Sequence, residues 1–155
     1  MDIRNMKADD MGRIIEITNV AWNEFTLYKL LEDRHGIIGN KGWQQRKETD
    51  IRAFCKNNPS NVIVAIEEGK VVGYACFTIN REDSVGQVSD NAVDPAFQGQ
   101  GIGGAMNKWI LGYFRKQGLR IAKVSTFEHD KPARHVYEKQ GFKEIARSIH
   151  YSMEL

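Results

Sequence analysis

The sequence has few of the residues that reinforce small extracellular proteins, with two cysteines and three prolines among 155 residues. Cys55 and Cys76 are too few for a disulfide scaffold and lack the short spacing of metal ligands, so we expect two reduced thiols. No run of about 18 apolar residues is present, so no membrane-spanning helix is predicted. The polar stretch from Met1 to Asp10 lacks the apolar core of a signal peptide. These absences predict a cytoplasmic protein with no membrane partner.

An excess of charge of either sign is also missing. Lys and Arg number 22 and Asp and Glu number 20, which gives a formal net charge of +2. With no dense Lys/Arg run, this balance argues against a nucleic-acid partner. The four histidines show no metal-ligand spacing, so no metal is expected. The remaining composition is typical of a folded chain, and the length suits a single domain over residues 1–155.

The hydrophobic pattern predicts a mixed α/β (α+β) domain. Alternating or β-branched stretches predict strands over 2–6, 61–67, 71–79, 86–93 and 121–127, and a closing strand or hairpin over 142–145 and 148–154. Apolar residues at helical spacing predict helices over 10–23, 43–56, 101–117 and 132–140, and a less regular helical piece near 27–31. The unit from 86 to 127 is strand–helix–strand, so its two strands should be parallel and its crossover right-handed.

A glycine-rich turn, Gln98 to Gly104 (QGQGIGG), lies between the strand over 86–93 and the helix that follows. The first backbone N–H groups of a helix have no partner and lie at the positive end of the helix dipole. Glycines let a ligand approach those N–H groups closely. The turn therefore predicts a site for a pyrophosphate, although glycines placed only for tight packing would give the same pattern.

The same turn has a second interpretation. Gly99, Gly101 and Gly104 match the G-x-G-x-x-G spacing of dinucleotide-binding oxidoreductases, and Glu128 follows at a strand end. Residues 94–97 separate the motif from its strand, however, and an upstream hairpin does not suit an all-parallel nucleotide sheet. The oxidoreductase is therefore the weaker alternative.

Two blocks resemble the GNAT superfamily of N-acetyltransferases. Gln98, Gly101 and Gly103 fill the fixed positions of its acetyl-CoA motif, [QR]-x-x-G-x-[GA], directly after Ala-Val-Asp-Pro at 92–95. Residues 133–142 (ARHVYEKQGF) resemble the family segment A-x-x-x-Y-x-x-x-G-F. The resemblance implies a GNAT-type acyl-CoA N-acyltransferase fold: a mixed, mostly antiparallel sheet of six to seven strands, a central parallel splayed pair, and flanking helices.

The resemblance also implies acetyl-CoA as cosubstrate and a set of residues that bind it. Backbone groups of Asn91 and Val93 would bond the pantetheine arm, and an N–H near Ala92 would polarise the thioester carbonyl. Asp130 departs from the asparagine common in the family, and is a candidate helix N-cap. The full predicted set is Asn91, Ala92, Val93, Gln98, Gly99, Gln100, Gly101, Ile102, Gly103, Gly104, Asp130 and Ala133.

Acetyl transfer to an amine needs an acid for the leaving thiolate and a base for the ammonium. By resemblance Tyr137 is the acid, against the alternative of a tyrosine that only packs on the sheet. Asp90 is the candidate base, ahead of Glu128, and a water chain is the alternative. Adjacent strand residues face opposite sides, so Asp90 and Asn91 share a face only if a bulge intervenes.

Acceptor specificity should lie in the segment from Glu24 to Trp43, by analogy with the family. Trp22, Phe25, Tyr28 and Trp43 are candidates for an acceptor pocket, or else core aromatics. The acceptor would be a small-molecule amine or a protein amine, and a homodimer is an option because dimers are common in this family. A catalytically silent acyl-CoA sensor on the same fold is the alternative function.

Overall fold

The computed structural model describes all 155 residues, arranged as one sheet with helices on both faces. The strands are β1 (Asp2–Asn5), β2 (Val62–Glu67), β3 (Lys70–Asn80), β4 (Val85–Val93) and β5 (Ile121–Lys123). The helices are α1 (Met11–Ala21), α2 (Leu27–His35), α3 (Trp43–Asn57), α4 (Ile102–Lys116) and α5 (Lys131–Lys139). None of these helices has the length and apolar character needed to cross a membrane.

The strands lie in the order β1-β2-β3-β4-β5, with the first four antiparallel and β5 parallel to β4. The parallel ladder has three pairs and ends where Gln87 meets Lys123. From Val88 to Val93, β4 keeps its partner β3 but has none on the other side. The predicted parallel pair is therefore confirmed. Because β5 ends at Lys123, the edge of β4 beyond Gln87 has no hydrogen-bonded neighbour, and the space along this unpaired edge is called the gap below.

Two apolar clusters hold the helices to the sheet, one on each face. The alternation of β2 places Val62 and Val64 on the face covered by α1 and α3, and Ile63 and Ala65 on the face covered by α4. All four are fully buried, and burying a Val or Ile side chain contributes roughly 1.5–3 kcal/mol. The helices over 10–23, 43–56 and 101–117 are confirmed to within two residues at each end.

The sheet is smaller than expected. The prediction of six to seven strands is wrong, since five are found. The predicted strand over 121–127 ends at Lys123, and residues 142–155 form no strand. A three-residue β5 offers little edge for further pairing, and the segment is held by side chains, with Arg147 bonded to Glu128 and Glu144. Ile145 consequently remains 91% exposed, and the parallel pair lies at the edge of the sheet, not its centre.

Gly86 on β4 gives a direct test of the packing between α4 and the sheet. A Cβ built at Gly86 would lie 2.6 Å from the Phe114 ring, so Gly86→Ala should force that buried ring to shift. Overpacking of this kind costs about 1–3 kcal/mol in unfolding free energy, measurable by urea denaturation. Gly112→Ala on α4 is the control: nothing lies within 4 Å of its Cβ, and the helix should gain about 0.5–1 kcal/mol. Equal stabilities for the two variants would contradict this packing.

Candidate active site

The start of the glycine turn is anchored by Asp94, directly after β4. The Asp94 carboxylate pairs with Arg13 of α1 and accepts the N–H of Ala96 at 2.9 Å. The Arg13 Nε–H donates in turn to the Val71 carbonyl at 3.0 Å. The end of β4 is thereby tied to α1 and β3, which fixes the point from which the turn leaves the sheet.

The turn presents a row of unpaired backbone amides. The Gln98 N–H donates to the Pro95 carbonyl at 3.4 Å, whereas the N–H groups from Gly99 to Gly104 donate to nothing in the chain. The first bond of α4 runs from Ala105 to Gly101. Gly99 and Gly101 have φ values of +76° and +81°, and a Cβ at either would meet nothing within 4 Å. The turn is thus an open, amide-lined concavity that suits an anion.

Side-chain amides brace this turn from both sides. Gln98 Nε2 donates to the Val93 carbonyl at 3.1 Å, which closes the loop back onto β4. Gln140, just after α5, donates to the Gly104 carbonyl at 2.8 Å and accepts from Asn107 of α4. The second contact joins α4 to α5, so the glycine turn and the tyrosine carried by α5 belong to one rigid unit.

Tyr137 of α5 lies beside the part of β4 that has lost its parallel neighbour. Asn91 Nδ2 donates to the Tyr137 hydroxyl at 3.3 Å, and the Phe142 ring packs edge-on at 5.8 Å between centroids. Burial raises the pKa of the Tyr137 phenol, an effect that the Asn91 hydrogen bond partly offsets. The residue is 9% exposed and keeps its proton at neutral pH, as a general acid must.

A bulge in β4 puts Val88 and Asn91 on the same face of the sheet, while Asp90 and Asn91 keep the ordinary alternation and face opposite sides. Asn91 pairs with Ala75 and Val88 with Phe77, so β4 has one more residue than β3 in this interval. Asn91 contacts Tyr137 on the α4/α5 face, whereas Asp90 forms an ion pair with Lys47 of α3 on the other face. The candidate acid and base therefore lie on opposite sides of the strand, beside the gap that separates it from β5.

A hydrogen-bonded series of side chains extends from α1 into this second face. Thr18 Oγ1 donates to the Ile14 carbonyl at 2.8 Å and therefore accepts from the Tyr74 hydroxyl, also at 2.8 Å. The Tyr74 oxygen accepts the Trp22 Nε1–H at 3.0 Å. The Lys47 ammonium lies 4.0 Å from the Trp22 ring centroid. Every donor in the series has an acceptor, and the Trp22 ring is fixed as a result.

The other aromatic candidates lie around the α1–α2 connection. His129 is stacked between Phe25 at 5.5 Å and Phe127 at 5.4 Å, and bonds the Glu24 carbonyl at 2.8 Å. Tyr28 bonds Asp50 of α3 at 2.5 Å, and the carboxylate raises the pKa of the phenol. Trp43 is 5% exposed, and its backbone N–H donates to the Glu32 carboxylate at 2.6 Å.

Asp130 acts as the N-cap of α5. One carboxylate oxygen accepts the Ala133 N–H at 3.1 Å and the other accepts Thr126 Oγ1 at 2.9 Å. Such a cap typically contributes about 1 kcal/mol to helix stability. Both Asp130 oxygens and the Ala133 N–H are therefore engaged within the chain. Elsewhere, no three His, Cys, Asp or Glu side chains lie close enough to hold a metal ion, and Cys55 and Cys76 are free and buried.

Comparison with known proteins decides between the two interpretations of the glycine turn. The model of the acetyltransferase (GNAT) family matches residues 16–142. The chain belongs to the GNAT family. The oxidoreductase alternative is therefore wrong, and the chain is an acyltransferase of the N-acetyltransferase kind.

Individual relatives of this GNAT chain agree with the family match. An uncharacterized N-acetyltransferase, YhfO, from Bacillus subtilis is 25% identical over 159 residues, which span 100% of this chain and 98% of that protein. The mycothiol acetyltransferase of Thermomonospora curvata is 30% identical over 94 residues, 61% of this chain but only 31% of that protein. A GNAT family acetyltransferase from Brucella melitensis, solved with acetyl-CoA, shares the fold with a TM-score of 0.63 and 21% identity, covering 92% of this chain and 82% of that one.

Sequence reasoning missed Lys47 as the partner of Asp90 and Trp22. A signal was present, because Lys47 precedes Ile51 and Cys55 by one and two helical turns and so occupies the apolar face of α3. A lysine at a buried position needs a partner of opposite charge. His129 gave no such signal, since its stacking partners come from two separate loops.

Tyr74→Phe tests the fixed position of Trp22. The change leaves the Trp22 Nε1–H without its acceptor and removes a buried bond to Thr18, at a cost of about 1–3 kcal/mol in unfolding free energy. Tyr113→Phe is the control, because the Tyr113 hydroxyl makes no hydrogen bond within the chain and should shift stability by less than about 0.5 kcal/mol. A Tyr74→Phe protein as stable as wild type would show that the bonded series contributes nothing.

Proposed function

We propose that this single-domain GNAT protein transfers the acetyl group of acetyl-CoA directly to a primary amine. The observation that carries the proposal is the row of free amides from Gly99 to Gly104 at the start of a 15-residue helix, close to the separated strands β4 and β5. A diphosphate fits this turn because the turn is open, unpaired and lies at the positive end of α4. The acetyl-CoA in the solved Brucella relative supports the assignment.

Acetyl-CoA would bind on the α4/α5 face. The amides of Gly99, Gln100, Gly101, Ile102, Gly103 and Gly104 bind the diphosphate. The pantetheine arm follows β4 from Val93 to Asn91, where the backbone has no strand on its β5 side. The backbone near Ala92 polarises the thioester carbonyl. In this arrangement Gln98, Asp130 and Ala133 act by bracing the turn and α5, because their polar groups are already bonded within the chain.

The acceptor amine would reach the gap from the α1/α3 face. Asp90 takes the proton that the ammonium loses, and the amine nitrogen then forms the bond to the acetyl carbon. The carbon–sulfur bond breaks, and Tyr137 donates its proton to the departing thiolate. Trp22, Phe25 and Tyr28 line the approach on this side, with Trp43 beneath them as support. Holding the two reactants together in the gap supplies much of the rate, several kcal/mol.

A panel of amines tests the function directly. CoA thiol release is followed with acetyl-CoA and L-alanine, L-lysine, spermidine, glucosamine or the dipeptide Ala-Ala, and the acetylated amine is identified by mass spectrometry. Transfer to at least one amine, well above hydrolysis without amine, is expected. Stabilisation by acetyl-CoA without transfer to any of them would favour the acyl-CoA sensor instead.

Tyr137→Phe should lower kcat about 10²- to 10⁴-fold, the usual contribution of a general acid. Binding of acetyl-CoA should be unchanged, because the variant keeps the aromatic ring and its contact with Phe142. Tyr151→Phe, in the exposed C-terminal segment, is the matched control and should retain full activity. Normal turnover by Tyr137→Phe would remove the tyrosine from the proton transfer.

Gly101→Glu should abolish binding of acetyl-CoA by placing a carboxylate in the amide-lined turn. The wild type should gain about 2.7 kcal/mol in unfolding free energy at a ligand concentration 100 times the dissociation constant, and the variant should gain none. Gly118→Glu controls for backbone strain, because Gly118 has a similar φ of +72° but lies after the C-terminal end of α4. Equal gains for the two variants would place the diphosphate elsewhere.

A further inference from the structure

Lys47 is a buried cation that the acetyl-transfer chemistry described above does not use. It projects from α3 toward the sheet and is 8% exposed. Removing an ammonium from water costs several kcal/mol unless it is paired. Its position on the acceptor side of β4 therefore calls for an explanation beyond packing.

Two partners hold the Lys47 ammonium. Its Nζ donates to Oδ1 of Asp90, and it lies 4.0 Å from the centroid of the Trp22 ring. The ring is itself fixed by Tyr74, so the ammonium has one location available to it. The electron-rich face of the ring attracts the ammonium. Lys47 thus presents a fixed positive charge to a single carboxylate.

The Asp90 carboxylate is held at one oxygen and free at the other. Oδ1 is bonded to Lys47, whereas Oδ2 accepts no hydrogen bond within the chain. The Asp90 side chain is 33% exposed and that of Lys47 only 10%. The Asp90 side chain is therefore more accessible than the lysine that holds it, and its Oδ2 remains free to bond a ligand.

We propose that Lys47 is a positioning residue for the acceptor amine. Its ammonium holds the Asp90 carboxylate so that Oδ2 faces the gap between β4 and β5, where it binds the ammonium group of a primary amine. The carboxylate would otherwise rotate about its side-chain torsions, with no other bond to fix it. This inference rests on the proposed acetyl transfer and assigns the recognition of the amine to the Asp90–Lys47 pair.

Lys47→Met tests the role, because methionine retains an unbranched apolar chain against Trp22. Catalytic efficiency toward the amine that the wild type acetylates fastest in the panel above is measured at saturating acetyl-CoA. We expect a loss of about 100-fold, the scale of a 1 Å misplacement, with an unchanged dissociation constant for acetyl-CoA. Lys47→Arg keeps the charge and should recover most of the loss. Lys56→Met on the exposed side of α3 should match the wild type.

A double-mutant cycle separates positioning from a merely structural role. In an Asp90→Asn background the carboxylate is already gone, so Lys47→Met should change the efficiency less than about twofold. If Lys47→Met alone does not fold, Lys47→Gln takes its place in the cycle, because glutamine removes the buried charge but retains an amide that can donate to Asp90.

Three results would overturn the proposal. The effects of Lys47→Met and Asp90→Asn on catalytic efficiency could add fully in the double variant, or Lys47→Met could be as efficient as the wild type. Lys47→Met could also lose as much affinity for acetyl-CoA as it loses efficiency toward the amine. The activity of the wild type shows whether the proposed function or only the positioning role has failed. A wild type that acetylates none of the panel amines overturns the proposed function as well. If the wild type is active and Lys47→Met is equally efficient, only the positioning role is overturned.

Discussion

The early end of the ladder between β4 and β5 is the constraint on which the rest of the site depends. The ladder stops after Gln87 and Lys123 because β5 itself ends there. The remaining six residues of β4 keep one partner only. This unpaired edge lies at the border of the open sheet, and the glycine turn, α5 and α3 are all arranged around it.

The bulge in β4 determines which side chains of the strand face α5 and which face α3. In a regular strand Val88 and Asn91, three positions apart, would face opposite sides. The bulge puts both on the α4/α5 face, with Val88 in the core beside α4 and Asn91 toward α5. With it, Asn91 meets Tyr137 on one face and Asp90 meets Lys47 on the other. Two reactants can then approach from opposite faces without competing for the same space.

Local patterns predicted the elements whose formation depends on their own residues. The apolar spacing of α1, α3 and α4 and the β-branched content of β2 were sufficient, because each of these elements buries one continuous face. The glycine turn was also predictable from the sequence, since the positive φ angles at Gly99 and Gly101 favour glycine. The resemblance to the GNAT family then implied acetyl-CoA as the ligand.

Features that depend on distant partners could not be predicted in this way. Residues 148–154 alternate like a strand, yet they have no long edge to join once β5 ends at Lys123. The Asp90–Lys47 pair joins residues 43 positions apart, and the bulge that makes it possible leaves no mark in composition. Such contacts arise only when the sheet assembles.

The most direct measurement is amide NMR of the wild-type protein during titration with acetyl-CoA, with slowed hydrogen exchange as the second readout. Binding should shift and protect the amides from Gly99 to Gly104, which donate to nothing in the free chain. The Gln98 amide, already bonded to Pro95, should gain little protection. Unchanged exchange across that turn, with protection appearing elsewhere, would contradict the placement of the diphosphate and with it the route to Tyr137.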